Sequence, residues 1–143
     1  MGIKKIRVKN SGFVKLHNFN DFPDGLLAIA EAKKNIPIEI KRVYFINKLF
    51  NQKSKRGHHA HKKLEQIIFC INGSFKIKLD DGAAQQTILL NDPSVGVILG
   101  KELWHEMSAF TSDCVILVLA NDYFDEKDYI RSYDEFLRYI RRK

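Results

Sequence analysis

Long apolar runs are missing from this 143-residue sequence. None approaches the roughly 20 residues that cross a bilayer as a helix, so no membrane span is expected. The N-terminus, MGIKKIRVKN, carries basic residues with no apolar stretch behind them, and no secretory signal is expected. Cysteine is scarce. Cys70 and Cys114 are the two present, each inside an apolar run (IIFCI and DCVILVLA). That setting points to reduced core thiols in a cytoplasmic protein rather than to a disulfide. No linker rich in Gly, Pro or Ser, no internal repeat and no low-complexity tract divides the chain, so residues 1–143 are read as one domain. Zinc-finger spacing, a helix-turn-helix signature and a basic stripe interleaved with aromatics are absent too, and nucleic acid is not an expected partner.

What is present is ordinary in bulk: 45% hydrophobic and 29% charged residues, as in soluble globular proteins. The formal net charge of +7 fits either solubility or an anionic ligand. A phosphorylated small molecule needs only two or three well-placed cations, and charge alone does not choose between these uses. The middle of the chain reads as short strands separated by turns. IEIKRVYFIN (38–47) is rich in β-branched and aromatic residues, and QIIFCING (66–73) reads as a buried strand ending in a turn. In SFKIKLDDG (74–82), Phe75, Ile77 and Leu79 face one way and Lys76, Lys78 and Asp80 the other. Asp81-Gly82 is a hairpin signal. TILL (87–90), VGVIL (95–99) and DCVILVLAN (113–121) continue the series, which predicts an all-β sandwich or barrel. Residues 25–35 (GLLAIAEAKKN) fit a strand or a short helix. In the tail, Ile130, Tyr133, Phe136, Leu137 and Ile140 recur every three or four residues, the mark of an amphipathic helix. Asp125, Glu126 and Asp128 lie near its start, and Arg138, Arg141, Arg142 and Lys143 at its end, complementing the helix dipole.

RGHHAHKKLEQ (56–66) concentrates three of the five histidines. If it is extended, His59 and His61 share a face with Lys63 and Glu65, while His58 and Ala60 point the other way. Two imidazoles on one strand face are metal ligands, acid–base groups or two surface residues. The spacing His59-x-His61-x3-Glu65, with Gly73 following, resembles the first cupin motif. His105, in NDPSVGVILGKELWHEM, supplies what the second motif would bring. Three imidazoles and a carboxylate suit iron, manganese, nickel or zinc.

KRVYFI (41–46), RGHHAHKKLEQIIFCINGSFKI (56–77), LWHEM (103–107), the stretch 116–123 and DYIRSYDEFL (128–137) go further. Together they resemble the dTDP-4-keto-6-deoxyglucose 3,4-ketoisomerases, over residues 13 to 140. The resemblance implies a cupin jelly roll, barrel or sandwich, with a C-terminal helix. It implies an isomerase that uses no metal and no other cofactor, with the histidine pair moving protons. Arg56, Gly57, His59, Ala60, His61 and Lys62 match the family motif position by position, and His58 falls on its variable position. Tyr44 resembles the family's active-site tyrosine. Arg42, on Tyr44's strand face, and Arg56 are candidates for the diphosphate, with Lys62 beside the motif histidines. Gln66 is a candidate for a sugar hydroxyl. Trp104, the sole tryptophan, either packs against the sugar or fills the core.

The reaction moves a ketone from C4 to C3 of the sugar. It needs general acid–base groups that work near neutral pH and no redox cofactor. The products of such enzymes are precursors of the 3-amino-3,6-dideoxy sugars of surface glycans. Histidine after the conserved tryptophan, here His105, resembles the branch that forms the galacto product, where arginine marks the gluco branch. The family further implies a homodimer with exchanged N-terminal strands, for which Phe13, Val14 and Leu16 are suited. One departure is Asp24 before Gly25, where relatives carry arginine or tyrosine. Two rival readings stay open at this point. One is a metal-dependent cupin enzyme using His59, His61, Glu65 and His105; the other is a non-catalytic sugar-nucleotide binding module.

Overall fold

The computed structural model describes residues 5–142. Two five-stranded antiparallel sheets face each other. The first runs in spatial order β1 (Ser11–Lys15), β9 (Val95–Leu99), β6 (Gln66–Asn72), β11 (Val115–Ala120) and β4 (Arg42–Ile46). The second runs β12 (Tyr129–Ile130), β5 (Arg56–His61), β10 (Trp104–Ser108), β7 (Phe75–Asp80) and β8 (Gln85–Leu90). A separate hairpin pairs β2 (His17–Asn20) with β3 (Leu26–Ile29). With the single helix α1 (Tyr133–Arg141) at its end, this is the all-β sandwich with a C-terminal helix that the sequence calls for.

The patterning explains the layers. On β7 the alternation holds: Phe75, Ile77 and Leu79 are fully buried between the sheets, and Lys76 and Lys78 point out. Each such buried side chain contributes about 1.5–3 kcal/mol relative to its exposed state. β6 and β11 are apolar on both faces because both faces are covered. Ile68, Cys70, Ile116 and Val118 point between the sheets. Ile67, Phe69 and Leu119 pack outward under Val14, Ile36 and Ile38. The outer face of the second sheet is roofed by α1, where Ala60, Trp104, Ile130 and Phe136 form a third cluster. Cys70 and Cys114 are both buried and free, their sulfurs 3.8 Å apart.

One local expectation changes. The helix begins at Tyr133, capped by the Ser132 hydroxyl, which accepts from the Glu135 amide. Residues 129–130 instead pair with β5, so Asp125, Glu126 and Asp128 do not serve the dipole of α1; Asp134 and Glu135 do. Asp80 faces away from Phe75, Ile77 and Leu79, as the alternation predicts, and is buried because α1 covers that face. It accepts from the Tyr133 hydroxyl, Gln85 and the Gly82 amide. Phe13, Val14 and Leu16 pack against their own chain, since β1 pairs with β9 from Ser11↔Leu99 to Lys15↔Val95. Residues 26–29 of the ambiguous segment form a strand. Among the described residues no helix is long and apolar enough to cross a membrane.

Candidate active site

The inward positions of four strands turn polar at one end of the space between the sheets. β5 contributes His59 and His61, β10 His105, β4 Arg42 and Tyr44, and β6 Gln66. His105 lies directly across the β5–β10 pair from His59. The ring centroids of His59 and His61 are 5.0 Å apart, those of His59 and His105 4.7 Å, and those of His61 and His105 6.4 Å.

A β-bulge makes this arrangement. Between His105/Glu106 and His59/Gly57 the register slips, leaving His58 as the extra residue. Gly57 (φ 81°) and His58 (φ 57°) are both left-handed. A Cβ on Gly57 would meet the His105 carbonyl oxygen at 2.9 Å, so glycine is required by conformation and by space. His58 is turned away from the pair; its Nδ1 lies 3.9 Å from Glu106 Oε1.

The two imidazoles of the pair are tied at the same atom. His59 Nδ1 is 3.0 Å from the Gly57 carbonyl, and His61 Nδ1 is 3.2 Å from Asp128 Oδ2. A carbonyl and a carboxylate only accept, so Nδ1 is the donor in each ring and Nε2 carries the lone pair. Burial, then the neighbouring His61, pushes His59 down to about 4. Burial likewise lowers His61, with the Asp128 carboxylate pulling the other way. His105, enclosed completely, lies well below its ordinary value through burial and the other two histidines. Three imidazoles so placed rest neutral, with Nε2 unprotonated in His59 and His61.

Tyr44 donates its hydroxyl to Gln66 Oε1 at 2.6 Å. Burial raises its pKa to about 12 despite the Arg42 guanidinium, 5.4 Å from its ring, so it remains a phenol. Arg42 Nε is buried with no hydrogen-bond partner. Arg56, exposed at the start of β5, is close enough to Tyr44 to oppose that rise.

Other sequence candidates lie elsewhere. Trp104 is 3% exposed and sits on the opposite face of β10 from His105. Its Nε1 donates to Glu106 and its ring meets Tyr133 and Phe136, so it fills the core under α1 rather than lining the histidine site. Lys62 places Nζ 5.9 Å from the Tyr139 ring, on the helix side. Glu65 does not join the histidines, because β5 ends at His61 and the chain turns, whereas Lys63 lines a small cleft with His61. The Glu65 carboxylate accepts from Asn121 at 3.5 Å. The donor set His59, His61, Glu65 and His105 is therefore not assembled. Among the described residues no group of three or more His, Cys, Asp or Glu side chains is arranged to hold a metal.

Sequence reasoning missed Asp128 and Tyr129. The Tyr129 ring stands 4.4 Å from His61 and 5.0 Å from His59, and Arg131 lies across it at 4.2 Å, held by Glu126. Helical periodicity, run one turn too far toward the N-terminus, hid these residues. The signal that would have found them is Ser132 as an N-cap with Glu135 three residues on. A small cleft at this end, about 50 Å³, is lined by Arg42, His61, Tyr123, Asp128 and Tyr129 among others.

Residues 9–141 match the profile of the family described as "FdtA: WxcM-like, C-terminal". A TDP-4-oxo-6-deoxy-α-D-glucose-3,4-oxoisomerase from Aneurinibacillus thermoaerophilus is 53% identical over 130 residues, 88% of this chain and 91% of that one. The crystal structure of a histidine-to-asparagine variant of the 3,4-ketoisomerase QdtA from Thermoanaerobacterium thermosaccharolyticum, in complex with TDP-4-keto-6-deoxyglucose, is 43% identical. It superposes with a TM-score of 0.91 over 95% of this chain and 97% of that one. A 3,4-ketoisomerase from Helicobacter canadensis is 42% identical, with a TM-score of 0.88 over 92% and 98% of the two chains.

Proposed function

The chain belongs to the FdtA (WxcM-like, C-terminal) family, and from that premise we propose a cytoplasmic, single-domain sugar-nucleotide 3,4-ketoisomerase. Its substrate is dTDP-4-keto-6-deoxyglucose and its product a dTDP-3-keto-6-deoxyhexose. The observation that carries this reading is the neutral pair of half-buried His59 and buried His61, facing His105, each with Nδ1 tied to an acceptor.

The C3 proton is acidified by the C4 carbonyl. A neutral Nε2 takes it, the C–H electrons form a C3–C4 double bond, and O4 gains charge and then a proton. The O3 proton then leaves, the C3 carbonyl forms, and an imidazolium returns a proton to C4. No net proton or electron is consumed. Each positioned acid–base group is worth about 10²–10⁴-fold. The Tyr44 phenol, held neutral by burial, is suited to donate to an enediolate oxygen, with Gln66 fixing it. Arg42, with its unpartnered buried Nε, and exposed Arg56 are the cations for the diphosphate.

The face of C4 that receives the proton sets the product. His105, a neutral imidazole, can take up a proton and return it, whereas an arginine holds its own. Histidine at this position resembles the branch that forms the galacto product, a precursor of 3-amino-3,6-dideoxy sugars for surface glycans, and on that likeness the galacto product is proposed. The working unit is a homodimer. Exposed Phe19, Phe22, Leu26 and Leu27 on and beside the β2–β3 hairpin, and Val43 and Phe45 on edge strand β4, give each copy apolar surface to bury.

The test is the product of the wild type and of His105→Arg, trapped by amination and identified by NMR. Galacto configuration from the wild type and a shift toward gluco in the variant are expected. A gluco product from the wild type refutes the stereochemical assignment. Light scattering that finds a monomer at micromolar concentration refutes the dimer.

A further inference from the structure

His59 and His61 are held differently. The acceptor at His59 Nδ1 is main chain, the Gly57 carbonyl. The acceptor at His61 Nδ1 is one removable side chain, Asp128, brought from the segment between β11 and α1. That carboxylate is itself anchored. Oδ1 accepts from the Lys63 amide at 2.8 Å and Oδ2 from the Leu64 amide at 3.1 Å. The Asp128 carbonyl takes the Lys62 amide at 3.0 Å. Its side chain is 13% exposed and that of His61 4%, so water competes little for either. Tyr129 and His59 touch the remaining flanks of the His61 ring without hydrogen-bonding it.

We propose that Asp128 is the positioning residue of the reaction: it fixes His61 as the Nδ1–H tautomer, so that Nε2 is a free base for the sugar carbon. The inference rests on the ketoisomerase reading for its kinetic consequence but not for the tautomer. A pinned carboxylate cannot rotate away and cannot donate, so the neutral ring has one way to satisfy the contact. When Nε2 accepts the sugar proton, the resulting imidazolium faces a carboxylate already in place. A charge-assisted hydrogen bond of that kind is roughly twice as strong as a neutral one. The same carboxylate ties the turn after β5 to the strand β12 that carries Tyr129, so one residue sets both the tautomer of His61 and the ring packed on it.

In Asp128→Asn with its oxygen on the Lys63 amide, the NH₂ faces His61 Nδ1 and the Leu64 amide, which loses its acceptor. The ring must then move its hydrogen to Nε2, and the base is lost while the shape is kept. Replacing the aspartate of a Ser-His-Asp triad in this way costs about 10⁴-fold; here a fall in kcat of about 10²–10⁴-fold is expected, with KM within about threefold. Asp128→Glu, which keeps the charge, recovers part of that loss. The direct readout is the ¹⁵N spectrum of histidine-labelled protein: His61 protonated at Nδ1 in the wild type and at Nε2 in Asp128→Asn. A residue that only braces the turn would lower the melting temperature and leave the tautomer alone. A wild-type His61 protonated at Nε2, or a folded Asp128→Asn with near wild-type kcat, overturns the proposal. If the wild type turns over no ketosugar at all, the ketoisomerase reading fails, while the tautomer still decides what Asp128 does to His61.

Discussion

The space between the two sheets has two halves. Along β4 the inward residues run Arg42, Tyr44, Ile46; along β6, Gln66, Ile68, Cys70; along β10, His105, Met107. Each strand passes from polar to apolar within two to four residues. The apolar half, with Phe75, Ile77, Leu79, Leu90 and Phe110, is an ordinary close-packed core. The polar half buries the His61 and His105 imidazoles and the Gln66 amide, and half-buries His59, Tyr44 and Arg42, whose Nε makes no hydrogen bond. Desolvating such groups costs free energy that the apolar half must offset. One half therefore holds the fold and the other is free to do chemistry, and substitutions in the two should separate stability from turnover.

The largest effect is expected in the apolar half. Phe75→Ala, at a fully buried position, should lower unfolding free energy by about 3–5 kcal/mol while kcat of the remaining folded protein changes little. Denaturant titration alongside turnover checks this, and a selective collapse of kcat would blur the division. In the polar half the order reverses. His59→Asn and His61→Asn should each lose about 10²-fold or more in kcat, with circular dichroism and melting close to wild type. Gly57→Ala stands between the two, because it strains the bulge that aims His59. We expect about 1–3 kcal/mol of destabilisation together with reduced turnover.

The same comparison was unevenly visible in the sequence. The apolar half was plain: β7 announces itself by alternation, β6 and β11 by continuous apolar runs, and the Asp81-Gly82 turn joins β7 to β8 as expected. The histidine face was legible because strand geometry separates His59 and His61 from His58. The bulge that accomplishes the separation was not, since a left-handed non-glycine residue has no signal of its own. Glu65 was placed on the wrong face because strand periodicity says nothing about where a strand ends. Trp104 shows the converse difficulty. It neighbours His105 in sequence but lies on the opposite face of β10, under a helix that only the tertiary fold brings there. Asp128 and Tyr129 escaped because two periodicities, the two-residue strand and the helix after it, meet without a gap.

Acidification should expose the polar half specifically. Burial holds His59 at about 4 and lowers His61 and His105, against about 6.5 in the unfolded chain. Between these values the unfolded chain binds protons that the folded one refuses, so stability falls as pH drops from about 6.5 toward 4 and is insensitive to these groups above that window. Melting temperature against pH should show this slope, and His59→Asn should flatten it. An unchanged slope in that variant would mean that His59 titrates normally. The smallest effect is expected from His58→Asn. That side chain points away from the pair toward Glu106, and kcat should stay within a few-fold of wild type. A loss matching that of His61→Asn would overturn the division made by the bulge.

The central claim is that neutral His59 and His61 shuttle the proton of a ketosugar. Its most direct test is single-substrate turnover of dTDP-4-keto-6-deoxyglucose at pH 7 with chelator present, followed by NMR for wild type and His61→Asn in parallel. The account predicts a 3-keto-6-deoxyhexose from the wild type, and from folded His61→Asn the same product at least about 10²-fold more slowly. Unchanged substrate with the wild type, or equal rates from the two proteins, would contradict it.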